Sequence, residues 1–173
     1  MVRGIEMIIA NGDEYHKDGL IYFTSREEIP CPGCAGKLYV RGTCKRKLRT
    51  RNDGVKLYCL RVMECRECGK THRELPGNII PYKRMDLESV SGLAQISHAD
   101  NLNDLEASTW RRVRIWTLRF LAYAIGLLNC PCSEDRDFPS LAPERAREYL
   151  AYWVKRVANG GRWIQHRLAS HMP

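Results

Sequence analysis

The chain has 173 residues, 44% of them hydrophobic and 28% charged, with four Trp, eight Tyr, three Phe and a net charge of +8. That length suits one ordinary domain, or a small metal-stapled module joined to a helical one, and the composition excludes extensive disorder. No stretch approaches the roughly 20 apolar residues that span a bilayer, and the first residues, Met1-Val2-Arg3-Gly4-Ile5-Glu6, lack an apolar export core, so a cytoplasmic location is expected. In chain order, Gly4 to Ala10 reads as a short strand, Asn11-Gly12-Asp13 as a turn and Leu20 to Thr24 as a second strand, together a small hairpin or lead-in. From Lys37 to Arg51 polar and apolar residues mix without helical spacing. Asn52-Asp53-Gly54 is a turn signal, and Val55 to Met63 reads as the returning strand of a long hairpin. Leu75-Pro76-Gly77 and Ile80-Pro81-Tyr82 then break regular structure and suggest a linker.

Everything after about Met85 reads as helical. Asp86 to Gln95 predicts a first helix and Asn101 to Asp104 a loop. Ser108 is the expected N-cap of a helix over Thr109 to Leu128, with Val113, Thr117, Phe120, Ala124 and Leu127/Leu128 on one face. Asn129 to Ala142 reads as a loop. A last helix starts at Pro143, buries Ala146, Leu150, Trp153, Val154 and Val157, and stops at Asn159-Gly160-Gly161. The expected fold class is therefore α+β: an N-terminal β hairpin and an antiparallel zinc ribbon over residues 1–84, followed by an α-helical region over 85–173.

Cys31-Pro-Gly-Cys34 and Cys65-Arg-Glu-Cys68-Gly69 are both C-x-x-C pairs, the spacing at which a tight turn presents two thiolates to one metal. Eight cysteines in a reducing compartment favour metal ligation over disulfides. The 30 residues between the pairs are what a hairpin needs to leave one knuckle and return to the other. One structural Zn2+ held by Cys31, Cys34, Cys65 and Cys68 follows, its binding coupled to folding of the hairpin. Four buried or disulfide-linked cysteines, or a redox C-x-x-C, are the alternatives, and two pairs flanking a hairpin fit the redox motif poorly. His72 could replace one sulfur. Folding about the Asn-Asp-Gly turn pairs Cys59 with Lys47 and Cys44 with Val62, so Cys44 and Cys59 read as ordinary strand residues, and Cys130 and Cys132 as a loop pair.

The charge is concentrated. Lys37 to Arg84 hold fourteen basic and four acidic residues, so a polyanionic partner is expected there. Lys45, Arg46, Lys47, Arg49, Arg51, Lys56 and Arg61 on the hairpin arms, with Tyr39 and Tyr58 among them, are the candidate phosphate contacts. Arg111, Arg112 and Arg114 form a second cluster beside Trp110 and Trp116. A solvated strand face is the plain alternative for the first cluster, and core packing for the tryptophans of the second.

The run Ile29-Pro30-Cys31-Pro32-Gly33-Cys34, then Cys65 to Pro76, then Ile80-Pro81-Tyr82-Lys83-Arg84 resembles a family of poorly characterised bacterial zinc-ribbon proteins, which is related to the N-terminal zinc-binding domains of insertion-sequence transposases. The resemblance covers about residues 20–120. In that family a segment like Ala107 to Arg112 lies in a helix-turn-helix-like region. The resemblance implies DNA binding in a mobile-element setting and carries over the four cysteines as ligands. No Ser/His/Asp arrangement, Walker loop or dinucleotide motif is present, His98 and His166 stand alone, and Asp86, Asp100, Asp104 and Glu106 read as solvated or capping residues. The expected function is a non-catalytic, DNA-binding accessory or regulatory protein, with double-stranded DNA as the partner and no membrane. The alternatives are an adaptor docking on a transposition component or RNA polymerase, and a binder of single-stranded DNA or RNA that stacks bases on Tyr39, Tyr58 and the tryptophans.

Overall fold

Six strands form in the first half of the described chain, and β-branched and aromatic residues mark only some of them. The computed structural model describes residues 6–50, 54–96, 104–127 and 141–163. Outside them lie Arg51, the Asn52-Asp53 part of the expected turn, His98, Asp100, Leu128, nearly all of the 129–142 loop with Cys130 and Cys132, and His166. The strands are β1 (Glu6–Ala10), β2 (Gly12–Lys17), β3 (Leu20–Ser25), β4 (Leu38–Thr50), β5 (Gly54–Cys65) and β6 (Thr71–Pro76), and the helices are α1 (Leu87–Gln95), α2 (Asp104–Leu127) and α3 (Pro143–Asn159).

The expected fold class is corrected by the strand pairing. A single six-stranded sheet runs β1-β6-β5-β3-β2, with β4 paired to β5 off this path. It is mixed: β1 pairs with β6 in parallel and β3 with β5 in parallel, while the remaining pairs are antiparallel. No separate N-terminal hairpin of β1 and β3 forms. Met7, Ile8, Ile9 and Ala10 are all buried, and a strand apolar on both faces needs cover on both, which a two-stranded hairpin does not supply. The partner of β1 is β6, expected to be linker because of its proline. Pro76 is the last residue of that strand, opposite Ala10, a position where a missing N–H interrupts no ladder beyond it. Among the described residues three helices follow Asp86, but one hydrophobic core joins them to the sheet: Phe23, Leu48, Tyr58 and Leu60 belong to the same buried cluster as Leu87, Phe120, Leu150 and Trp153.

Two helices start where their chemistry dictates. Asp86 caps α1, its carboxylate accepting the Ser89 N–H at 3.0 Å. Pro143 opens α3, which buries Ala146, Leu150, Trp153, Val154 and Val157 as the periodicity predicts. Ser108 does not cap α2, because the helix begins four residues earlier at Asp104. The intervening Leu105-Glu106-Ala107 are good helix formers, and acidic residues suit a first turn. On α2, Thr117, Phe120, Leu121 and Ala124 are buried, and the Thr117 hydroxyl donates to the Val113 carbonyl at 2.9 Å. Among the described residues no helix is long and apolar enough to cross a membrane.

The free edge of β1 is closed by one side chain. Asn159, at the end of α3, accepts the Ile9 N–H at 2.7 Å through Oδ1 and donates Nδ2 to the Ile9 carbonyl at 2.9 Å. Ile9 is 1% exposed, so these backbone groups have no water to fall back on. Asn159→Ala should therefore cost about 2 to 3 kcal/mol in urea denaturation, whereas a change below about half a kcal/mol would mean the clamp is incidental.

Candidate metal centre

The long hairpin delivers the two cysteine pairs to one place. Its register differs from expectation by two residues: Thr50 pairs with Gly54, Lys45 with Cys59 and Cys44 with Leu60. The connection is the three residues 51–53, and Gly54, at φ +73°, opens β5 instead of closing the turn. An even slip preserves the faces, so Cys44 and Cys59 point to opposite sides of the ribbon, both as free thiols. A bulge between Val40 and Gly42 then shifts the pairing so that Leu38 faces Cys65. Both strands thus end level at the knuckles.

The two knuckles are one motif repeated. Ala35 N–H donates to the Cys31 carbonyl at 2.8 Å and Cys31 N–H to the Gly36 carbonyl at 2.8 Å; Gly69 and Cys65 make the equivalent bonds to Cys65 and Lys70, both at 2.9 Å. The residue after each second cysteine is left-handed, with φ +61° at Ala35 and +68° at Gly69. Glycine adopts that conformation freely, while alanine is held in it against a steric cost. Gly33 N–H also points at the Cys31 sulfur, at 3.4 Å.

All four Sγ atoms lie within 4.8 Å of one another. Cys31 and Cys68 are 3.6 Å apart and Cys34 and Cys65 3.4 Å apart. A tetrahedron with zinc–sulfur bonds of about 2.3 Å has edges of about 3.8 Å, so these four sulfurs could hold a metal ion with little adjustment. Cys65 is pushed down to about 7, first by the Cys68 N–H, and Cys34 is pushed up to about 12 because its shared protons with Cys65, Cys68 and Cys31, together with desolvation, outweigh the lowering Gly36 N–H. Four thiolates this close would repel one another, and a divalent cation held by Cys31, Cys34, Cys65 and Cys68 would let them all ionise. Cys31 and Cys65 are buried, Cys34 and Cys68 exposed.

His72 lies behind the cluster and is fully buried. Its Nε2 is 3.3 Å from the Cys31 sulfur and its Nδ1 3.8 Å from Glu6 Oε2. Burial holds the imidazole below its ordinary pKa, against the raising effect of Glu6, so a neutral ring with its proton on Nε2 would donate to Cys31 and steady that sulfur. The sequence raised His72 only as a substitute ligand. Its link to Glu6 depends on the parallel pairing of β1 with β6, where Glu6 faces His72.

The candidate phosphate contacts separate by strand face. Lys45, Lys47 and Arg49 are exposed on one face of β4. Arg46 points the other way and is half-buried, its Nη2 donating to the carbonyls of Ile80 at 3.0 Å and Lys83 at 2.6 Å. Arg61 Nε lies 2.6 Å from Glu74 Oε2 in a largely buried ion pair. Lys56 is half-buried. On α2, Arg111 and Arg112 are exposed, while Arg114 donates to the Ile96 carbonyl and lies over the Trp110 ring. Tyr58 is 1% exposed and offers no stacking surface. Tyr39 is exposed, with the Arg66 guanidinium 4.3 Å from its ring centre.

The family model of a domain of unknown function, DUF6431, matches residues 31–113. The matched segment starts at the first knuckle cysteine, contains all four sulfurs, β4 to β6 and α1, and ends within α2. No curated protein and no solved structure matches the chain.

Proposed function

We propose that this chain is a zinc-binding, DNA-binding accessory or regulatory protein without chemistry of its own, in which a tetrathiolate centre fixes the base of a cationic hairpin. The observation that carries the reading is the convergence of four sulfurs at one end of a ribbon whose exposed β4 face bears Lys45, Lys47 and Arg49. An all-sulfur, tetrahedral donor set favours Zn2+, with iron as the competitor, and elemental analysis of purified protein should find one zinc per chain. The bacterial mobile-element setting and the preference for duplex DNA are supported by the resemblance of the two cysteine pairs and their flanks. The non-catalytic character is supported by the sequence, which carries no recognisable catalytic arrangement.

Binding measured by fluorescence anisotropy should weaken steeply with salt on duplex DNA. Each lost phosphate contact lowers the slope of log affinity against log salt by about 0.9, so the variant Lys45→Gln/Lys47→Gln/Arg49→Gln should lower it by about 2.7. An unchanged slope would remove the hairpin from the interface. The adaptor reading has its own support in Ile115 and Leu118, 51% and 38% exposed on α2. Its signature is a protein complex that persists at salt where DNA binding has vanished.

A further inference from the structure

Between β4 and the turn after β6 lies a cleft of about 630 Å³ in which charge of one sign collects. Lys45, Arg46, Lys47 and Arg49 line it from β4, Arg73 from β6, and Lys83 and Arg84 from the turn, and among the described residues no carboxylate does. Its walls are tied together: Arg49 N–H donates to the Arg84 carbonyl at 2.6 Å, Asp86 N–H to the Arg49 carbonyl at 3.2 Å, and Arg46 reaches across to Ile80 and Lys83. The like charges are therefore held close before any ligand arrives. Burial and then Arg73 hold Arg46 below its ordinary pKa, and burial pushes Lys83 down to about 8. The Lys83 ammonium sits 4.1 Å from the centre of the Trp116 ring, which steadies a cation without neutralising it.

Tyr82 completes the wall. It is 40% exposed and its backbone is left-handed at φ +60°, a conformation that is costly for a bulky residue and persists only where the surroundings hold it. The volume lies in the range of about 300 to 1,000 Å³ typical of small-ligand sites. That size suits one nucleotide better than the broad convex surface of a duplex.

Building on the nucleic-acid reading above, we propose that this cleft seats one unpaired nucleotide of a nucleic-acid strand, its phosphate among Arg73, Lys83 and Arg84 and its base against the Tyr82 ring. Guanidinium groups pair well with phosphate oxygens. A tyrosine face stacks any base, so the seat is indifferent to sequence but requires a base freed from its partner. The hairpin face then holds the duplex flank, and the cleft marks where the strands part.

The test uses the zinc-loaded full chain, with anisotropy on a single-stranded oligonucleotide, the matching blunt duplex and the same duplex carrying an unpaired overhang. Wild type should prefer the overhang to the blunt duplex. Tyr82→Leu should lose about tenfold on the single strand and on the overhang while keeping its blunt-duplex affinity, and Tyr82→Phe should keep both. Arg73→Gln and Lys83→Gln should each lower the single-strand salt slope by about 0.7. If the Tyr82, Arg73 and Lys83 variants bind every probe as wild type does, the cleft proposal falls, and the hairpin reading is judged separately by the blunt-duplex salt slope of the Lys45/Lys47/Arg49 variant. A wild-type protein that binds no nucleic acid sinks both. Displacement of the oligonucleotide by a nucleoside monophosphate at an equal nucleotide concentration would make a free nucleotide the ligand and overturn the strand assignment.

Discussion

A Cys65→Ser protein should purify without stoichiometric metal and be destabilised by several kcal/mol, with the loss concentrated at one end of the molecule. Cys65 ends β5, is 0% exposed, and its sulfur lies 3.4 Å from that of Cys34. The segment of β4 nearest the knuckles, Leu38 to Thr43, is almost wholly exposed, so apolar burial contributes little to holding it down. Structural zinc in small finger peptides contributes about 10 to 16 kcal/mol at neutral pH, comparable with the whole stability of an ordinary domain at about 5 to 15 kcal/mol. Further along the hairpin, Leu48, Tyr58 and Leu60 belong to the shared core, and they should keep that end folded. Hydrogen exchange should therefore accelerate across residues 31–43 and 61–72 while Leu150 to Val157 of α3 stay protected. Exchange unchanged around both knuckles, or full metal content in the variant, would show that the four sulfurs are not the structural tether. Acid should act in the same direction. Cys34 and Cys65, at about 12 and about 7 without metal, must lose their protons to bind it, so affinity, and the stability it brings, falls as pH falls.

The clustering of the four sulfurs was legible in the sequence because its signal is local. C-x-x-C fixes a knuckle within five residues, and the positive φ of Gly69 is what a glycine at that position announces. The boundaries of α3 were legible for the same reason, since Pro143 and the Asn159-Gly160-Gly161 stop both act within a turn of the helix. The sheet was not. β6 is six residues long with three charged or imidazole side chains, too short and polar to declare itself, and its partner β1 lies more than sixty positions away. Parallel pairing of distant strands leaves no local trace, so Glu6, His72 and Glu74 could not be placed together. β2 was missed because its six residues are all exposed, which removes the alternation that marks a half-buried strand. The basic ribbon was legible only as a total. Counting fourteen cations located the charge, but the strand period of two divides neighbours, sending Lys45 and Lys47 to solvent and Arg46 to the carbonyls of Ile80 and Lys83.

That division sets the second large effect, at Arg61. Its side chain is 26% exposed and that of Glu74, its partner at 2.6 Å, is 4% exposed. Glu74 is opposite Ile8 in the parallel β1–β6 pair, at a position with almost no access to water. Arg61→Ala would strand that carboxylate in the sheet, and removing one partner of a buried pair typically costs about 3 to 5 kcal/mol. Urea denaturation of the zinc-loaded protein should show a loss of that size, against a change within about half a kcal/mol for Lys47→Gln on the exposed face. The double variant Arg61→Met/Glu74→Leu discriminates the cause. If the damage comes from an unpaired charge, replacing both groups with apolar ones of similar volume should recover most of the stability, because no charge is then left to desolvate. If Arg61 instead meets phosphate, the single variant would stay near wild-type stability and lower the salt slope of DNA binding. A stable Arg61→Ala protein with weakened, less salt-sensitive binding would therefore return Arg61 to the nucleic-acid surface. Lost stability with an unaltered slope in the double variant keeps Arg61 inside the fold as the partner of Glu74.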